Sequence, residues 1–416
     1  FVKQLPFKLT DAQRKVVWQI YQDMESKEPM NRLIEGDVGS GKTVAATMAA
    51  LMAMAENKQV VLMAPTEILA RQHAETIFKL LTPLNRADEV VLLIGSLNPS
   101  QKRQAHDAIK HGKAKFIIGT HAVIQDIVDM HNLAMVIIDE QHRFGVEQRK
   151  KLMAKAGHMP HLLSLSATPI PRSLALTLYG ELDISVIDQK PAGRKPIETE
   201  IISPSNVKDL YKQINIKLVD GEQMFIVCPQ ITDNSETKTK SVEKVYEEAK
   251  HIFKKHKVKL IHGKLKSDEK QKVMQDFVNN KIQILVATTV IEVGVDVPNA
   301  NIILIHSPEM FGLAQLHQLR GRIGRGEKPG YCYLLQDDNN PPSRRLRALK
   351  SSNDGFKLAE LDLEIRGPGA LYGHMQHGQL DLRIAQLSDT KLIAEARQAA
   401  KNFLDSDDKI DNYPYL

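Results

Sequence analysis

Two cysteines are all that 416 residues contain, and Cys228 and Cys332 each lie inside an apolar, strand-like run, MFIVCPQ and YCYLLQ. Neither belongs to a CxxC or Cys/His spacing that would hold zinc, so buried free thiols in a reducing compartment are expected, with the cytoplasm as location. Aromatic residues make up only 5%. No aromatic-rich signature of RNA binding and no recognition-helix motif occurs, which leaves contact through a sugar–phosphate backbone as the one mode of nucleic-acid binding to consider. No apolar run reaches the roughly 20 residues a membrane span needs. The longest, VAATMAALMAMA at 44–55, follows a glycine-rich loop and reads as a buried helix. Charge of one sign hardly dominates either: the net charge is +6 and the pI near 9.0, a modest excess that suits phosphate contacts but decides little. KKHKVK at 254–259 and RRLRALK at 344–350 read as solvated helix faces. The first residue is Phe1 rather than methionine, so an upstream targeting segment would not be visible here.

Hydrophobic residues at 42% and charged residues at 25% are the balance of a globular protein, and the length calls for two or three cores. Short β-branched runs alternate with helical patterns, the mark of parallel α/β architecture. They fall into two sets. RLIEG, QVVLMAPT, VVLLIG, KFIIGT, MVIIDE and LLSLSAT come first; QMFIVCPQ, VKLIHG, QILVATT, IILIHS and YCYLLQ come second. Between them QKPAGRKPIETE at 189–200, with two prolines and a glycine, reads as a linker. After PPSRR a mainly helical segment carries the glycine-rich RGPGALYGHMQHG. The expected division is a first lobe at 1–190, a second at 191–340 and a small helical module at 341–416. In parallel sheets ligands bind outside the carboxyl ends of the strands, so the residues closing each run carry the interest.

GDVGSGKT at 36–43 fits GxxxxGK[ST], follows a strand and precedes a helix, the context that separates a phosphate loop from a chance match. Gly36, Asp37, Gly39, Ser40 and Gly41 would form the cradle for ATP, with loop N–H groups and the helix N-terminus facing the phosphates. Lys42 would reach the β and γ oxygens, and the Thr43 hydroxyl would ligate Mg2+. The second acidic element, VIIDEQH at 136–142, closes another strand of the same set. Asp139 suits a magnesium contact and Glu140 a base for the attacking water; alone the pair would read as structural, and the upstream loop reverses that. QLRGRIGRG at 318–326 lies in the second set, and Arg322 and Arg325 fit arginine fingers that reach a nucleotide on the first lobe. A surface turn would explain the glycines but not the repeated GRxGR.

With these motifs in order, the chain resembles the superfamily-two helicases from Gln13 to Arg325, through LTDAQ, APTEILARQH, GTHAV, SATPIPRSLA and ATTVIEVGVDVPNA. Within them GDVGSGKT, DEQHRFG, SATPIPR and LRGRIGRG look most like the RecG branch, translocases of branched DNA, with the transcription-repair coupling factors as near relatives. DGFKLAELDLEIRGPGALYGHMQHG at 354–378 is similar to the translocation motif these two share, though Ala370, His374, Met375 and His377 depart from its usual residues. The amino-terminal wedge domain of RecG proteins has no counterpart among these residues. The resemblance implies two RecA-like lobes and Gln13 as adenine reader. It implies Gly294 and Asp296 near the γ-phosphate, and Ser166 and Thr168 linking nucleotide state to lobe closure. Thr66, Gly95, Thr120 and Thr288 would touch the nucleic-acid backbone, and Arg366 and Gln376 would couple closure to movement. Hydroxyls at strand ends bind phosphate without reading bases, yet a lone threonine there is as readily a cap. The resemblance therefore implies a DNA helicase or translocase acting on duplex, forked or branched DNA without sequence preference. A coupling-factor-type translocase would need a polymerase-binding module, an ATP-driven protein translocase would ignore DNA, and a P-loop kinase would have no use for the second sheet.

Overall fold

The computed structural model describes residues 1–167, 182–189, 196–229, 239–263, 265–288, 297–326, 328–366 and 390–404. Its strands form two separate sheets, and every pairing in both is parallel. The first contains β1 (Asn31–Gly36), β2 (Gln59–Met63), β3 (Val90–Leu93), β4 (Phe116–Gly119), β5 (Leu133–Asp139), β6 (His161–Ser166) and β7 (Asp183–Ile187), in the order β3-β4-β2-β5-β6-β1-β7. Helices α1 (Asp11–Glu25), α2 (Lys42–Ala55), α3 (Glu67–Leu81), α4 (Pro99–Lys110) and α5 (Val146–Ala154) accompany it. The second contains β8 (Ile197–Ile202), β9 (Gln223–Val227), β10 (Val258–Ile261), β11 (Ile284–Ala287), β12 (Ala300–His306) and β13 (Gly330–Leu335), in the order β10-β11-β9-β12-β13-β8. Its helices are α6 (Val207–Val219), α7 (Thr239–Ile252), α8 (Ser267–Val278) and α9 (Leu313–Arg320). Helices α10 (Arg344–Ser351), α11 (Gly355–Arg366) and α12 (Thr390–Leu404) complete the order.

Central strands such as β2 and β9 are buried at every residue because helices cover both faces, which is why they read as unbroken apolar runs. Edge strands read differently. In β8 Glu198 and Glu200 point to water while Thr199 and Ile202 are buried, and β7 starts on the exposed Asp183. Charged edges discourage pairing with a foreign strand, and they also erase the apolar run that would announce a strand. The stretch at 189–200 expected as a linker therefore delivers its last residues into β8. Leu346, Leu349 and Leu358, on α10 and α11, join the core cluster on one face of the second sheet. Ile68, at the start of α3 in the first lobe, packs against the same cluster. Both cysteines are buried and free, and burial pushes each thiol up to about 12. No helix among the described residues is long and apolar enough to cross a membrane.

The two sheets repeat one plan. β10-β11-β9-β12-β13-β8 matches β3-β4-β2-β5-β6-β1 position for position. After β5, Glu140 takes a left-handed backbone (φ 52°) before a 3-10 turn, and after β12 Ser307 does the same (φ 46°). Each of β2 and β9 also begins on a fully buried glutamine. The Gln59 Nε2 donates to the carbonyls of Ile109 (2.9 Å) and Ala114 (2.8 Å), and its Oε1 accepts from the N–H groups of His131 (2.8 Å) and Asn132 (3.1 Å). The Gln223 Nε2 donates to Phe277 (2.6 Å) and Ile282 (2.6 Å) at the matching places. One side chain thus satisfies four backbone groups of the first lobe, two buried carbonyls and two partly buried N–H groups. Gln59→Leu should leave the two buried carbonyls unpaired and destabilise that lobe by about 2–5 kcal/mol. Urea unfolding monitored by a first-lobe probe measures this, and a loss under about 0.5 kcal/mol would mean that solvent reaches those groups after all.

Candidate functional site

The phosphate loop joins β1 to α2 and owes its shape to glycine. Gly39 (φ 80°) and Gly41 (φ 91°) are left-handed, and a Cβ on Gly41 would collide with the Gln13 Nε2. Gln13 itself is 2% exposed. Its Nε2 donates to the Ser40 carbonyl (2.7 Å), while its Oε1 accepts from the Thr10 N–H (2.9 Å) in the capping box that starts α1. α1 thereby braces the loop. The Lys42 Nζ, buried at the first turn of α2, donates to the carbonyls of Gly36 (2.6 Å) and Asp37 (2.9 Å). Burial lowers its pKa to about 8, against the pull of Asp139, Glu140 and Asp37 and with the help of Arg322. The Ser40 Oγ is buried with no hydrogen-bond partner among the described residues, and Thr43 is half-buried beside it.

Asp139 and Glu140 close β5 next to this loop and are driven apart electrostatically. Burial pushes Asp139 up, but the His73 hydrogen bond (2.8 Å to Oδ2) and charge, with Lys42 and Arg322, outweigh it and hold this carboxyl below its ordinary value. Glu140 is raised by burial and by Asp139, against the opposing effects of Lys42, Arg322 and a hydrogen bond from the Ala167 backbone. One carboxyl stays charged and its neighbour moves toward the range useful to a base. The left-handed backbone at Glu140 is the local strain that aims it.

From the second lobe, α9 and the turn behind it approach the loop directly. The His317 Nε2 meets the Asp37 Oδ1 at 2.7 Å, and a Cβ on Gly321 would sit 3.2 Å from the Val38 side chain. Arg322 is 3% exposed and its charge is felt at Lys42, Asp139 and Glu140. Arg325 is only half-buried and donates to the Gly321 carbonyl (3.3 Å) within its own turn. A cavity of about 260 Å3 beside Asp37 is lined by Ile187, Asp188, Asn353, Asp354 and Phe356, so the start of α11 also borders the loop.

The remaining expected residues sit at strand ends. Thr66 follows β2 and caps α3, its hydroxyl accepting from the Leu69 N–H (3.4 Å). Gly95 follows β3, where a Cβ would meet Glu67 Oε1 at 2.9 Å, and Thr120 follows β4 and is buried. Because β3, β4 and β2 are neighbours, these three share one edge of the first lobe. Thr288 follows β11 in the second lobe, its buried Oγ1 without a hydrogen-bond partner among the described residues. Ser166 ends β6, one residue before the Ala167 amide that holds Glu140. Thr168, Gly294, Asp296 and Gln376 lie outside the described residues, as does the side chain of Arg366, the last residue of α11.

Three residues at this site receive no role from the motifs: His73 and Arg320, which lie inside them, and His317, which stands just before one. The two histidines bond to Asp139 and Asp37 across 66 and 280 residues of chain, distances at which spacing carries no signal. A fourth, Glu35, precedes the loop in β1 and is 1% exposed, with its Oε1 lacking a hydrogen-bond partner among the described residues. Burial pushes its carboxyl up to about 8. A carboxyl raised on folding favours the native state below the unfolded value and loses that contribution as pH climbs through the folded one. Between about 4.5 and about 8, Glu35 should therefore cost up to about 1.4 kcal/mol per pH unit. Glu35→Gln should flatten that slope and stabilise the chain at pH 8, as unfolding midpoints across this range would show; an unchanged slope would mean that water or a partner solvates the carboxylate.

Known proteins share this arrangement. Residues 10–177 match the DEAD/DEAH box helicase family, 205–327 the helicase conserved C-terminal domain, and 352–415 the C-terminal part of domain 3 of the ATP-dependent DNA helicase RecG. The ATP-dependent DNA helicase RecG of Thermotoga maritima is 47% identical over 401 residues, 96% of this chain and 51% of the relative. That of Escherichia coli K12 is 46% identical over 407 residues, 96% of this chain and 58% of the relative. The chain thus spans little more than half the length of these relatives. A solved structure of RecG bound to a three-way DNA junction superposes with a TM-score of 0.79 at 44% identity, covering 94% of this chain and 51% of that one. With the phosphate loop, the acidic pair and the arginine turn meeting in one cleft, the chain belongs to the RecG family of helicases.

Proposed function

We propose that this chain is the motor of an ATP-dependent DNA helicase, hydrolysing ATP between its lobes to move on double-stranded DNA and remodel forks and Holliday-type junctions in recombination and repair. Residues 1–190 form the ATP-binding lobe, 191–340 the second RecA-like lobe and 341–416 the translocation module, working in the cytoplasm. One observation carries the reading: the arginine turn of the second lobe meets the phosphate loop of the first, with His317 Nε2 at 2.7 Å from Asp37 Oδ1 and a Cβ on Gly321 at 3.2 Å from Val38, and Arg322 is buried in that turn.

The loop fits a triphosphate, because among the described residues Ser40 keeps a buried hydroxyl without a partner and Lys42 donates to backbone carbonyls alone, which it can exchange. Among the described residues no cluster of three or more His, Cys, Asp or Glu could hold a metal alone. Asp139 and the Thr43 hydroxyl would hold Mg2+, with phosphate oxygens and water completing the shell, as this ion prefers. ATP supplies the transferable phosphoryl group and Mg2+ the charge that neutralises its oxygens. Lys42 orients the β and γ oxygens, while Gln13 has one amide proton and one carbonyl lone pair left for an adenine edge. Glu140 accepts the proton of the attacking water, and Arg322, with Arg325 beside it, answers the charge that develops on the transferred group. Gly294 and Asp296 complete the γ-phosphate side, and Ser166 with Thr168 reports its state through Ala167. DNA phosphates are met by Thr66, Gly95 and Thr120 on one lobe and Thr288 on the other, with Arg366 and Gln376 converting closure into displacement.

ATP turnover with and without forked DNA tests this. DNA should stimulate the wild type, Lys42→Ala should abolish turnover, and Glu140→Gln should lower kcat about 100-fold or more while KM for ATP moves less than about threefold. A wild-type rate indifferent to DNA would sink the DNA motor, and Glu140→Gln at wild-type rate would sink the base. DNA affinity should fall steeply with salt and ignore base sequence.

A further inference from the structure

Among the described residues Arg320 is the largest fully buried side chain, 2% exposed, and no carboxylate forms a direct ion pair with it. Its guanidinium donates to the Leu349 carbonyl (2.5 Å) in the last turn of α10, weakly to the Thr199 Oγ1 (3.4 Å), and to the His317 Nδ1 (2.9 Å) one turn back on α9. Arginine has no acceptor, so the bond to Nδ1 requires a lone pair there. The ring proton of His317 is then on Nε2, where it donates to the Asp37 Oδ1 at 2.7 Å. Both His317 (6% exposed) and Asp37 (8%) are buried. The imidazole thus joins a buried cation of the second lobe to a buried anion of the phosphate loop, donor and acceptor each used once and in one sense only.

That arrangement exists only while the lobes touch. Separating them would take the Asp37 carboxylate from the imidazole and leave the Arg320 guanidinium in the protein interior with neutral partners alone, which is costly. The same helix leads, two residues after Arg320, to Arg322. We propose that His317 is an interlobe latch: through Asp37 and Arg320 it holds α9 against the phosphate loop and so sets the register of Arg322 on the reacting groups. His317 is a positioning residue, since it acts on the nucleotide site through its neighbours. The proposal rests on the cleft being the ATPase site, but lobe distance reads it independently of turnover.

The test places a donor–acceptor dye pair on the full chain at two exposed positions, Lys113→Cys in the first lobe and Lys255→Cys in the second; the native thiols are buried and stay unlabelled. Energy transfer is measured with and without a non-hydrolysable ATP analogue, beside ATP turnover. His317→Ala should shift the population toward separated lobes and lower kcat/KM at least about tenfold, the worth of one buried hydrogen bond to a charged group. His317→Gln should restore both to within about threefold, because an amide can donate to Asp37 and accept from Arg320 at once. Asp37→Ala breaks the latch from the other side without disturbing the Arg320 pocket, and it decides the matter should His317→Ala fail to fold. Combined with His317→Ala it should add no further separation. His317→Ala with unchanged energy transfer, His317→Gln as defective as His317→Ala, or additive effects in the double variant would each overturn the latch. If no form turns over ATP, the ATPase reading falls, while the energy-transfer comparison still decides whether the latch exists.

Discussion

Charge that has left water must be answered by charge of the opposite sign, and the junction between the two sheets is where this chain concentrates it. Lys42, Asp37, Asp139, Glu140, Arg320 and Arg322 are all wholly or largely removed from solvent there. Spread through one lobe, such a set would be hard to sustain, because each desolvated ion costs several kcal/mol even after relaxation. Divided between two lobes the set becomes conditional. The first lobe supplies the acidic pair, the lysine and Asp37, the second supplies arginines, and each half is best compensated when the other is present. Arg322 favours the charged form of both Asp139 and Glu140, which expresses that dependence, while as a like charge it works against Lys42.

Parallel sheets are what bring the groups to one place. Every strand of a parallel sheet ends on the same edge, so residues that are distant in sequence but close a strand become neighbours without any special loop. Asp139 closes β5, Ser166 closes β6, and the phosphate loop leaves β1; β5-β6-β1 are adjacent in the sheet. The nucleic-acid candidates Thr66, Gly95 and Thr120 follow β2, β3 and β4 on the other half of the same edge. α3 spans the two halves, since Thr66 caps its start and His73 on the same helix holds Asp139.

Legibility in sequence tracks locality. The phosphate loop can be read because its glycines, lysine and threonine are consecutive, and the central strands because burial on both faces leaves an unbroken apolar run. β7 and β8 elude the pattern because their edge positions admit Asp183, Glu198 and Glu200. Gln59 and Gln223 look like ordinary polar residues at strand starts, and only the fold shows that each feeds carbonyls some 50 residues away. His317 is the sharpest case: it stands one residue from the QLRGRIGRG motif, yet its meaning depends on Asp37, 280 residues upstream. Thr66 is legible only as an alternative between cap and phosphate contact, and its capping bond does not exclude the other, since a hydroxyl has a second lone pair and a proton to offer.

The internal repeat explains why two lobes of one plan make a single site. At the end of β12 the second lobe keeps the left-handed residue and the 3-10 turn found after β5, but Ser307 stands where the first lobe has Glu140, and His306 where it has Asp139. The backbone device survives while the carboxyl pair is absent. The helices beyond these turns have diverged in the same sense. α5 carries charged residues to water, whereas α9 is almost wholly buried, sends His317 to the other lobe and leads into the turn that carries Arg322. A second lobe with its own acidic pair would set carboxylates against those of the first whenever the cleft closed, and like charges in a dry cleft repel. With neutral and basic groups in their place, closure brings opposite charges together, and the repeated fold becomes complementary to itself.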